Sequence, residues 1–286
     1  MSQRVWLITG CSTGFGRELV KIVASKGEIA IGTVRKTEQI HELEAIDPRY
    51  VRGIVLDVQD QATIDEAARM IQDHYGRLDV LVNNAGYGSL GPVEESTEEE
   101  MHRQFDVNVY GAVRMIKMAL PFMRAQRSGH ILNVTSIAGL NGFPGVGIYN
   151  GSKFALEGIG EALAHEVAHL GIHVTNIEPG PFRTDWAGRS ATFTGGSIED
   201  YKESAVKNME SISNGSGKQI GDPVRGALAM FEVTKLDHPP VHLPLGGPAY
   251  KRARIKFNDI LNEIDQFEYL GLPTDYTEEE LKRLDG

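Results

Sequence analysis

Val5-Trp6-Leu7-Ile8-Thr9-Gly10-Cys11-Ser12-Thr13-Gly14-Phe15-Gly16 carries an apolar run, a glycine-rich turn and the start of a helical pattern. Four apolar residues without a polar interruption read as a strand buried on both faces. The helical pattern behind the turn runs from about Phe15 to Ser25. The same alternation continues outward. Ile29 to Val34 reads as a second strand, Val51 to Leu56 as a third and Leu78 to Val82 as a fourth, with helical patterns between them, as over Ala62 to Tyr75. One long helix is expected over Thr97 to Met123, with Pro121 as a kink or break. A strand at His130 to Val134, a helix from about Ile148 to Leu170 and a strand at Ile172 to Ile177 follow.

Strands alternating with helices imply parallel pairing through right-handed crossovers. The pattern blurs between Pro181 and Gly221, where Trp186, Phe193, Tyr201, Met209 and Ile212 are scattered among Gly and Ser. That stretch reads as a mobile lid, about 181–220, with a short helix around Ile198 to Met209. Asp222-Pro223 then supplies a cap and a first helical position. Val241 to Leu245 suits an edge strand, where Pro239, Pro240 and Pro244 are tolerated. A helix from about Ala249 to Phe267 lies in a C-terminal extension of about 246–286. The expected fold is α/β: one Rossmann-type domain over 1–286, a doubly wound parallel sheet of about seven strands with helices on both faces.

The 286 residues are enough for one large core, and 41% hydrophobic and 24% charged residues are ordinary for a globular protein. A net charge of −10 without a basic stripe argues against a nucleic-acid partner. The one cysteine, Cys11, allows no intramolecular disulfide and fits a reducing compartment. Met1 leads into an apolar strand without a positive n-region, and no uncharged run approaches the ~20 residues that span a bilayer. The expectation is a soluble cytoplasmic protein with no membrane partner.

Glycines in the first turn let the backbone approach a pyrophosphate, and the helix start offers it free N–H groups and positive dipole. Strand before and helix after are the context a dinucleotide site requires. Val34 at the end of the second strand is followed by Arg35-Lys36 and no acid. An acid there would bond a ribose 2′-hydroxyl, whereas Arg accommodates a 2′-phosphate. NADP(H) is therefore preferred, with NAD(H) possible. Cys11 reads as a filler of the turn.

Tyr149 and Lys153 lie four apart on a helix, so phenol and ammonium share a face. A nearby cation favours the phenolate and lowers a value otherwise near ~10. A hydroxyl brought in by Ser136 could hold a substrate oxygen beside them. This is equipment for moving a proton to or from a carbonyl or alcohol oxygen. Taken singly, each residue has a plainer reading: a packed aromatic, a solvated lysine, a turn cap.

With Thr9-Gly10-x-x-x-Gly14-x-Gly16, Asp57, Asn83-Asn84-Ala85-Gly86, Asn108, Ser136, Tyr149-x-x-x-Lys153, Pro179-Gly180 and Thr184 in this order, the chain resembles the short-chain dehydrogenase/reductases from about residue 4 to 245. Gly86-Tyr87-Gly88, Gly91-Pro92-Val93-Glu94, Gly180-Pro181-Phe182-Arg183-Thr184 and the extra C-terminal helix are similar to the 17β-hydroxysteroid dehydrogenase-like and retinol dehydrogenase-like branch. The resemblance implies that Tyr149 is the acid/base, that Lys153 depresses its pKa and bonds the nicotinamide ribose, that Ser136 holds the reacting oxygen, and that Asn108 anchors a water linking Lys153 to solvent. It implies cofactor contacts from Gly10, Ser12, Thr13, Gly14, Phe15 and Gly16 in the turn, with Arg35 beyond the second strand. Further contacts would come from Asp57 and Val58 near the adenine, and from Asn83, Ala85 and Gly86 in the cleft. Tyr149, Lys153, Pro179, Gly180, Phe182 and Thr184 would serve the nicotinamide side.

His165-Glu166-Val167-Ala168-His169 matches the zinc-hydrolase pattern H-E-x-x-H and supports a rival metallohydrolase. At ~100° per residue, His165 lies roughly 160° around the helix from Tyr149, away from the cleft. Ile172 and Thr175 stand where the extended pattern needs glycine and a third histidine. No metal is expected. A second rival, a sensor that binds NADP(H) without turnover, is disfavoured by the whole catalytic set. Tyr87, Leu90, Val93, Leu140, Phe143, Val146 and Trp186 are the expected pocket walls. Their apolar character points to a lipophilic carbonyl or secondary alcohol. Similar proteins associate through the helices here at about 97–123 and 148–170, so a homodimer is expected and a tetramer stays open.

Overall fold

The structure is a computed structural model and describes residues 3–284. Its strands are β1 (Val5–Ile8), β2 (Ile29–Val34), β3 (Val51–Val55), β4 (Val80–Asn83), β5 (Gly88–Leu90), β6 (Gly129–Val134), β7 (Ile172–Pro179), β8 (Ala191–Phe193) and β9 (His242–Leu245). Its helices are α1 (Gly14–Ser25), α2 (Glu38–Glu44), α3 (Gln61–His74), α4 (Glu98–Phe105), α5 (Ala112–Gln126), α6 (Gly147–Val167), α7 (Lys207–Asn214), α8 (Pro223–Val233), α9 (Gly247–Gly271) and α10 (Glu278–Leu284).

Seven strands form one sheet in the order β3-β2-β1-β4-β6-β7-β9, and every neighbouring pair is parallel. This is the doubly wound α/β arrangement expected from the alternation. Successive side chains of a strand face opposite ways, and β1 shows the consequence. Val5 and Leu7 pack with Ile64 and Ile71 of α3, Met115 and Ala119 of α5 and Leu163 of α6. Trp6 and Ile8 pack with Leu19 and Val23 of α1 and Met230 and Phe231 of α8. Both strand faces are dry, so the strand has no polar face to show. Each such fully buried large side chain contributes about 1.5–3 kcal/mol. Asp222 caps α8 through Val224 N and Arg225 N at 2.8 and 3.4 Å, with Pro223 at its first position.

Three expected elements differ. The helix expected over Thr97–Met123 is α4, a π-helical turn at Asp106–Gly111 and α5. The wide turn lets the chain come close to the loop after β3: a Cβ on Gly111 would lie 2.6 Å from Val58 Cγ2. Pro121 does not end the helix, because its missing N–H falls on an exposed side and α5 runs on to Gln126. The short helix expected at Ile198–Met209 begins as a 3-10 turn at Glu199–Tyr201 and a π turn at Lys202–Val206, and is α-helical only in α7. The last long helix extends further than expected in both directions, as α9, and its outer part exposes Leu261, Ile264 and Phe267. The sequence reading also missed the parallel pair β5–β8, Gly88–Leu90 against Ala191–Phe193, which fastens the segment after β7 to the loop after β4.

His130 of β6 is buried, and its Nε2 lies 2.9 Å from Thr175 Oγ1. The Thr175 hydroxyl donates its one proton to Pro240 O at 2.6 Å, so Nε2 must be the donor to Thr175. Burial, with His173 and Arg4 adding to it, pushes the imidazole pKa down to about 3. The fold therefore holds His130 neutral while the unfolded chain protonates it below about 6.5. The stabilisation is complete above that value and is lost as pH falls toward 3, by at most about 1.4 kcal/mol per pH unit. Against a His130→Gln variant, urea unfolding should show the wild-type advantage shrinking from pH 6.5 to 5. An advantage that does not change with pH would contradict this.

Candidate active site

Sheet order places the turn after β1 beside the loop after β4, at the C-terminal ends of neighbouring strands where open α/β sheets bind ligands. Thr9 joins them. Its Oγ1 accepts from Asn84 N and Ala85 N, both at 2.9 Å, and donates to Val82 O at 3.2 Å. The Asn84 side chain donates back to Thr9 O at 2.7 Å and Gly10 O at 3.0 Å. This leaves no room for side chains: a Cβ on Gly10 would lie 2.9 Å from Ala85 Cα, and one on Gly16 would lie 2.7 Å from Gly10 O. Gly10 and Gly14 also hold left-handed φ values of 70° and 61°. Gly14 faces Thr184, whose Cβ would lie 3.7 Å from an added Cβ. The α1 N-terminus has neither a side-chain cap nor an acid in its first turn, so its N–H groups and dipole are not answered by the protein's own carboxylates. Ser12 and Thr13 are half-buried in this turn. Cys11 is fully buried, donates to Ile8 O at 3.0 Å, and burial pushes its thiol up to about 12, which suits a filler and not a redox group.

Tyr149 and Lys153 emerge from the first turns of α6 and are each about 6% exposed. Ser136 follows β6 and opens a 3-10 turn at Ile137–Gly139, its Oγ accepting from Ala138 N at 3.0 Å. It stands beside the Tyr149 phenol and favours its ionised form. Asn108 reaches in from the π turn: it donates to Tyr87 O at 3.0 Å and Ser152 Oγ at 3.1 Å, and accepts from Tyr87 N at 3.1 Å. A Cβ on Gly86 would lie 3.1 Å from Asn108 Oδ1 and 3.6 Å from Lys153 Nζ. Asn108 and Lys153 therefore meet at the loop after β4, with Tyr149 beside Lys153 and Ser136 beside Tyr149. Such π turns are often found at functional sites, where they re-aim a side chain.

One electrostatic expectation fails. Lys153 makes no hydrogen bond to the Tyr149 hydroxyl. Its Nζ donates to Val134 O at 2.9 Å and lies 5.8 Å from the centroid of the Tyr149 ring. Burial then dominates both groups. The phenol is pushed up to about 12, opposed only by Ser136, and the amine is pushed down to about 8, opposed by Glu157. The chain's own groups keep Tyr149 protonated.

The other expected contacts vary in what they show. Asp57 organises the loop after β3, accepting from Gln59 N at 3.0 Å, and Val58 is buried against Gly111. The Asn83 side chain is buried and donates to Asn133 Oδ1 at 2.9 Å, so it serves the interior. Phe15 and Phe182 pack on each other with centroids 4.9 Å apart, which closes the turn against the segment after β7. Pro179 ends β7 in register with Leu245, and Gly180 N donates to Leu245 O at 3.0 Å. Arg35 is exposed beyond β2. Of the expected pocket walls, Trp186 packs on the Tyr149 ring at 5.0 Å. Leu90 and Val146 lie in the packed floor with Met209, while Leu140 and Phe143 turn toward Ala249 and Ala253 of α9. Val93 is largely exposed. Arg183 and Arg189 point away, bonded to Gln219 O at 3.2 Å and Asp185 Oδ2 at 3.0 Å. The H-E-x-x-H histidines are exposed, and α6 ends at Val167, so His169 sits in a following 3-10 turn out of helical register. Among the described residues the group spaced for a metal is a different one: Glu157, Glu178 and His242.

Sequence reading missed Asn150. Its Nδ2 donates to Ala138 O and Asn141 O at 2.7 and 2.6 Å, and its Oδ1 accepts from Phe143 N at 3.1 Å, so it holds the loop that carries Ser136. It also missed Glu157, although four residues beyond Lys153 is the same face of the helix.

Residues 4–193 match the family model described as short chain dehydrogenase. The chain is 37% identical over 248 residues to 3-ketodihydrosphingosine reductase of Bacteroides thetaiotaomicron, covering 86% of this chain and 89% of that protein. A short-chain dehydrogenase from Streptomyces avermitilis superposes with a TM-score of 0.90 at 37% identity, covering 96% of this chain and 99% of that one. ElxO with NADP bound superposes with a TM-score of 0.72 at 26% identity, covering 87% and 100% of the two chains. The chain belongs to the short-chain dehydrogenase/reductase family and is an oxidoreductase of the kind that acts on CH–OH and C=O groups with a nicotinamide dinucleotide.

Proposed function

We propose that this protein is an NADP(H)-dependent reductase or dehydrogenase of a lipophilic carbonyl or secondary alcohol, with Tyr149 as its acid/base. The observation that carries the proposal is the clustering of Tyr149 with Ser136 and Lys153, and of Lys153 with Asn108 at Gly86, where a Cβ would touch both. The turn after β1 fits a dinucleotide. Its glycines leave a cradle without side chains, and the open α1 N-terminus suits a pyrophosphate. Gly10, Ser12, Thr13, Gly14, Phe15 and Gly16 would hold the phosphates. Ala85, Gly86, Pro179, Gly180 and Thr184 would line the nicotinamide side, and Asp57 and Val58 the adenine side. When bound, the nicotinamide supplies or accepts a hydride at the substrate carbon.

In this reading the chain's own residues move the proton. The Tyr149 hydroxyl is protonated as the fold stands, which is the form that donates to a carbonyl oxygen as negative charge develops there. Ser136 Oγ orients that oxygen. Lys153, with a pKa near 8, is mostly an ammonium at neutral pH and can restore the proton. Asn108 fixes the loop that borders Lys153 Nζ and offers a polar route from it toward solvent. Trp186 packs at a tilt against Tyr149 and keeps water from the phenol, so the segment of about 181–220 acts as a lid hinged on the β5–β8 pair.

Apolar neighbours and the outward turn of Arg183 and Arg189 support a lipophilic substrate. A relative named for a keto compound points the same way. Arg35 and Lys36, with no acid at the end of β2, support NADP(H), as does the NADP-bound neighbour. Tyr110 and Phe154, 54% and 44% exposed on the π turn and α6, support a homodimer through these helices. No helix among the described residues is long and apolar enough to cross a membrane.

Turnover with NADPH across a panel of apolar ketones and aldehydes tests the proposal. Tyr149→Phe should lower kcat by about 10²–10⁴-fold while NADPH still binds. Turnover equal to wild type would remove Tyr149 from the reaction and with it this reading. For the cofactor, Arg35→Ala should weaken NADPH binding by about ten- to a hundred-fold, the loss of a charge-assisted bond. NADH binding should stay within about twofold. An equal loss for both cofactors would contradict the 2′-phosphate assignment.

A further inference from the structure

Helix α9 begins against the body of the protein and then leaves it. Ala249 and Ala253 pack on Ile137 behind β6, and Arg252 lies over the Phe143 ring at 4.9 Å. From 261 onward every described residue is exposed. The side of the helix that Ala249 and Ala253 use continues outward as Phe257, Ile260, Leu261, Ile264 and Phe267, at the three- and four-residue spacing of one apolar stripe. Phe257, Leu261, Ile264 and Phe267 are 50%, 57%, 58% and 49% exposed. A contiguous apolar surface of this kind marks a contact with another molecule.

Charge on α9 is segregated along its length. Lys251, Arg252, Arg254 and Lys256 come before the middle, and Asp259, Glu263, Asp265 and Glu268 come after it. The helix itself gains nothing from this order. No acid lies in its first turn and no base in its last, where each would answer the dipole. Arg252 and Lys256 are like charges four apart, as are Asp259 and Glu263, and such pairs repel. Among the described residues none of these side chains forms an ion pair or a hydrogen bond.

Position around the helix gives the order a purpose. At ~100° per residue, Arg254 and Asp265 border one side of the stripe, and Lys256 and Glu263 border the other. When two copies pair antiparallel about a two-fold axis, each border faces the same border of the second copy. Arg254 then meets Asp265, and Lys256 meets Glu263. Both pairings need one register, centred between Asp259 and Ile260. That register also sets Phe257 beside Ile264, and Ile260 beside its own copy. A parallel pair would bring Arg254 to Lys256 and Glu263 to Asp265, like against like. An anionic lipid surface fits less well, because the acids lie on the half of the stripe that is freest, where an interfacial helix carries Lys and Arg.

We propose that the exposed stripe of α9 docks α9 of a second copy of this chain, antiparallel, with the register set by Arg254–Asp265 and Lys256–Glu263 pairs across the axis. This contact is separate from the face at the π turn and α6, and it does not depend on the reaction assigned to Tyr149.

Light scattering of the full chain over a dilution series reads the association, and a disulfide reads the register. Arg254→Asp with Lys256→Glu makes one chain acidic along the stripe, and Glu263→Lys with Asp265→Arg makes another basic. Each variant alone should lose one association step, pairing at least about tenfold more weakly than wild type, and an equimolar mixture of the two should recover the wild-type mass. Ile260→Cys should link to its own copy on oxidation, whereas Phe267→Cys, about 22 Å from its copy in this register, should not. Cys11 is fully buried and adds no background. Charge variants that keep the wild-type mass, a mixture that stays apart, or linkage at 267 as readily as at 260 would overturn the proposal. So would a wild-type chain that does not pair through α9 and instead floats with phosphatidylcholine vesicles, which would give the stripe to a lipid surface.

Discussion

A lysine amine held inside the protein beside a buried phenol is the constraint on which the rest depends. Burial penalises the charged form of each group, so it raises the phenol and lowers the amine. Left to burial alone, both would become neutral and the pair would lose its polarity. The surrounding structure opposes this with specific contacts: Val134 O accepts from the amine, Ser136 favours the phenolate, and Glu157 lies one turn further along α6. These contacts come from β6, the loop behind it and α6, so the sheet and its helices have to be assembled before the pair can have its properties.

Sheet order explains why the assembly occurs where it does. The chain winds from β1 out to β3, returns to β4, and then builds toward β9 on the other side. The turn after β1 and the loop after β4 therefore meet with nothing between them, and Thr9 ties them with its single side chain. Glycine is required there because backbone replaces side chain at contact distance. The same crowding appears at Gly86, which lets Asn108 and Lys153 converge.

The repeated strand–helix alternation made the doubly wound sheet legible in the sequence, since Val5–Ile8 and Ile29–Val34 are apolar on both faces and parallel burial demands that. The turn glycines and the Tyr149–Lys153 spacing were legible for a similar reason: local geometry fixes them. What was not legible depends on distant contacts. β5 and β8 are three residues each and pair across some hundred positions, with no local periodicity to mark them. The π turn at Asp106–Gly111 is set by the approach of Gly111 to Val58, which the local pattern does not encode. The lowered phenol pKa expected from spacing failed because burial of the phenol outweighs the Ser136 hydrogen bond, and helical spacing does not reveal burial. Asn133, Asn176 and Glu178 did leave a signal, as polar residues inside strand runs that are otherwise apolar. Their meaning appears only when β6, β7 and β9 lie side by side.

Because the chain's own groups hold Tyr149 protonated, ionising it in the proposed alcohol oxidation would require positive charge delivered with the oxidised cofactor. The most direct measurement is the ¹³C NMR titration of protein labelled at tyrosine Cζ, with and without NADP⁺. The account predicts a Tyr149 titration near 12 in the protein alone, falling by at least about two units on cofactor binding. A Tyr149 signal that titrates at the same pH in both states, or as an ordinary exposed tyrosine without cofactor, would contradict it.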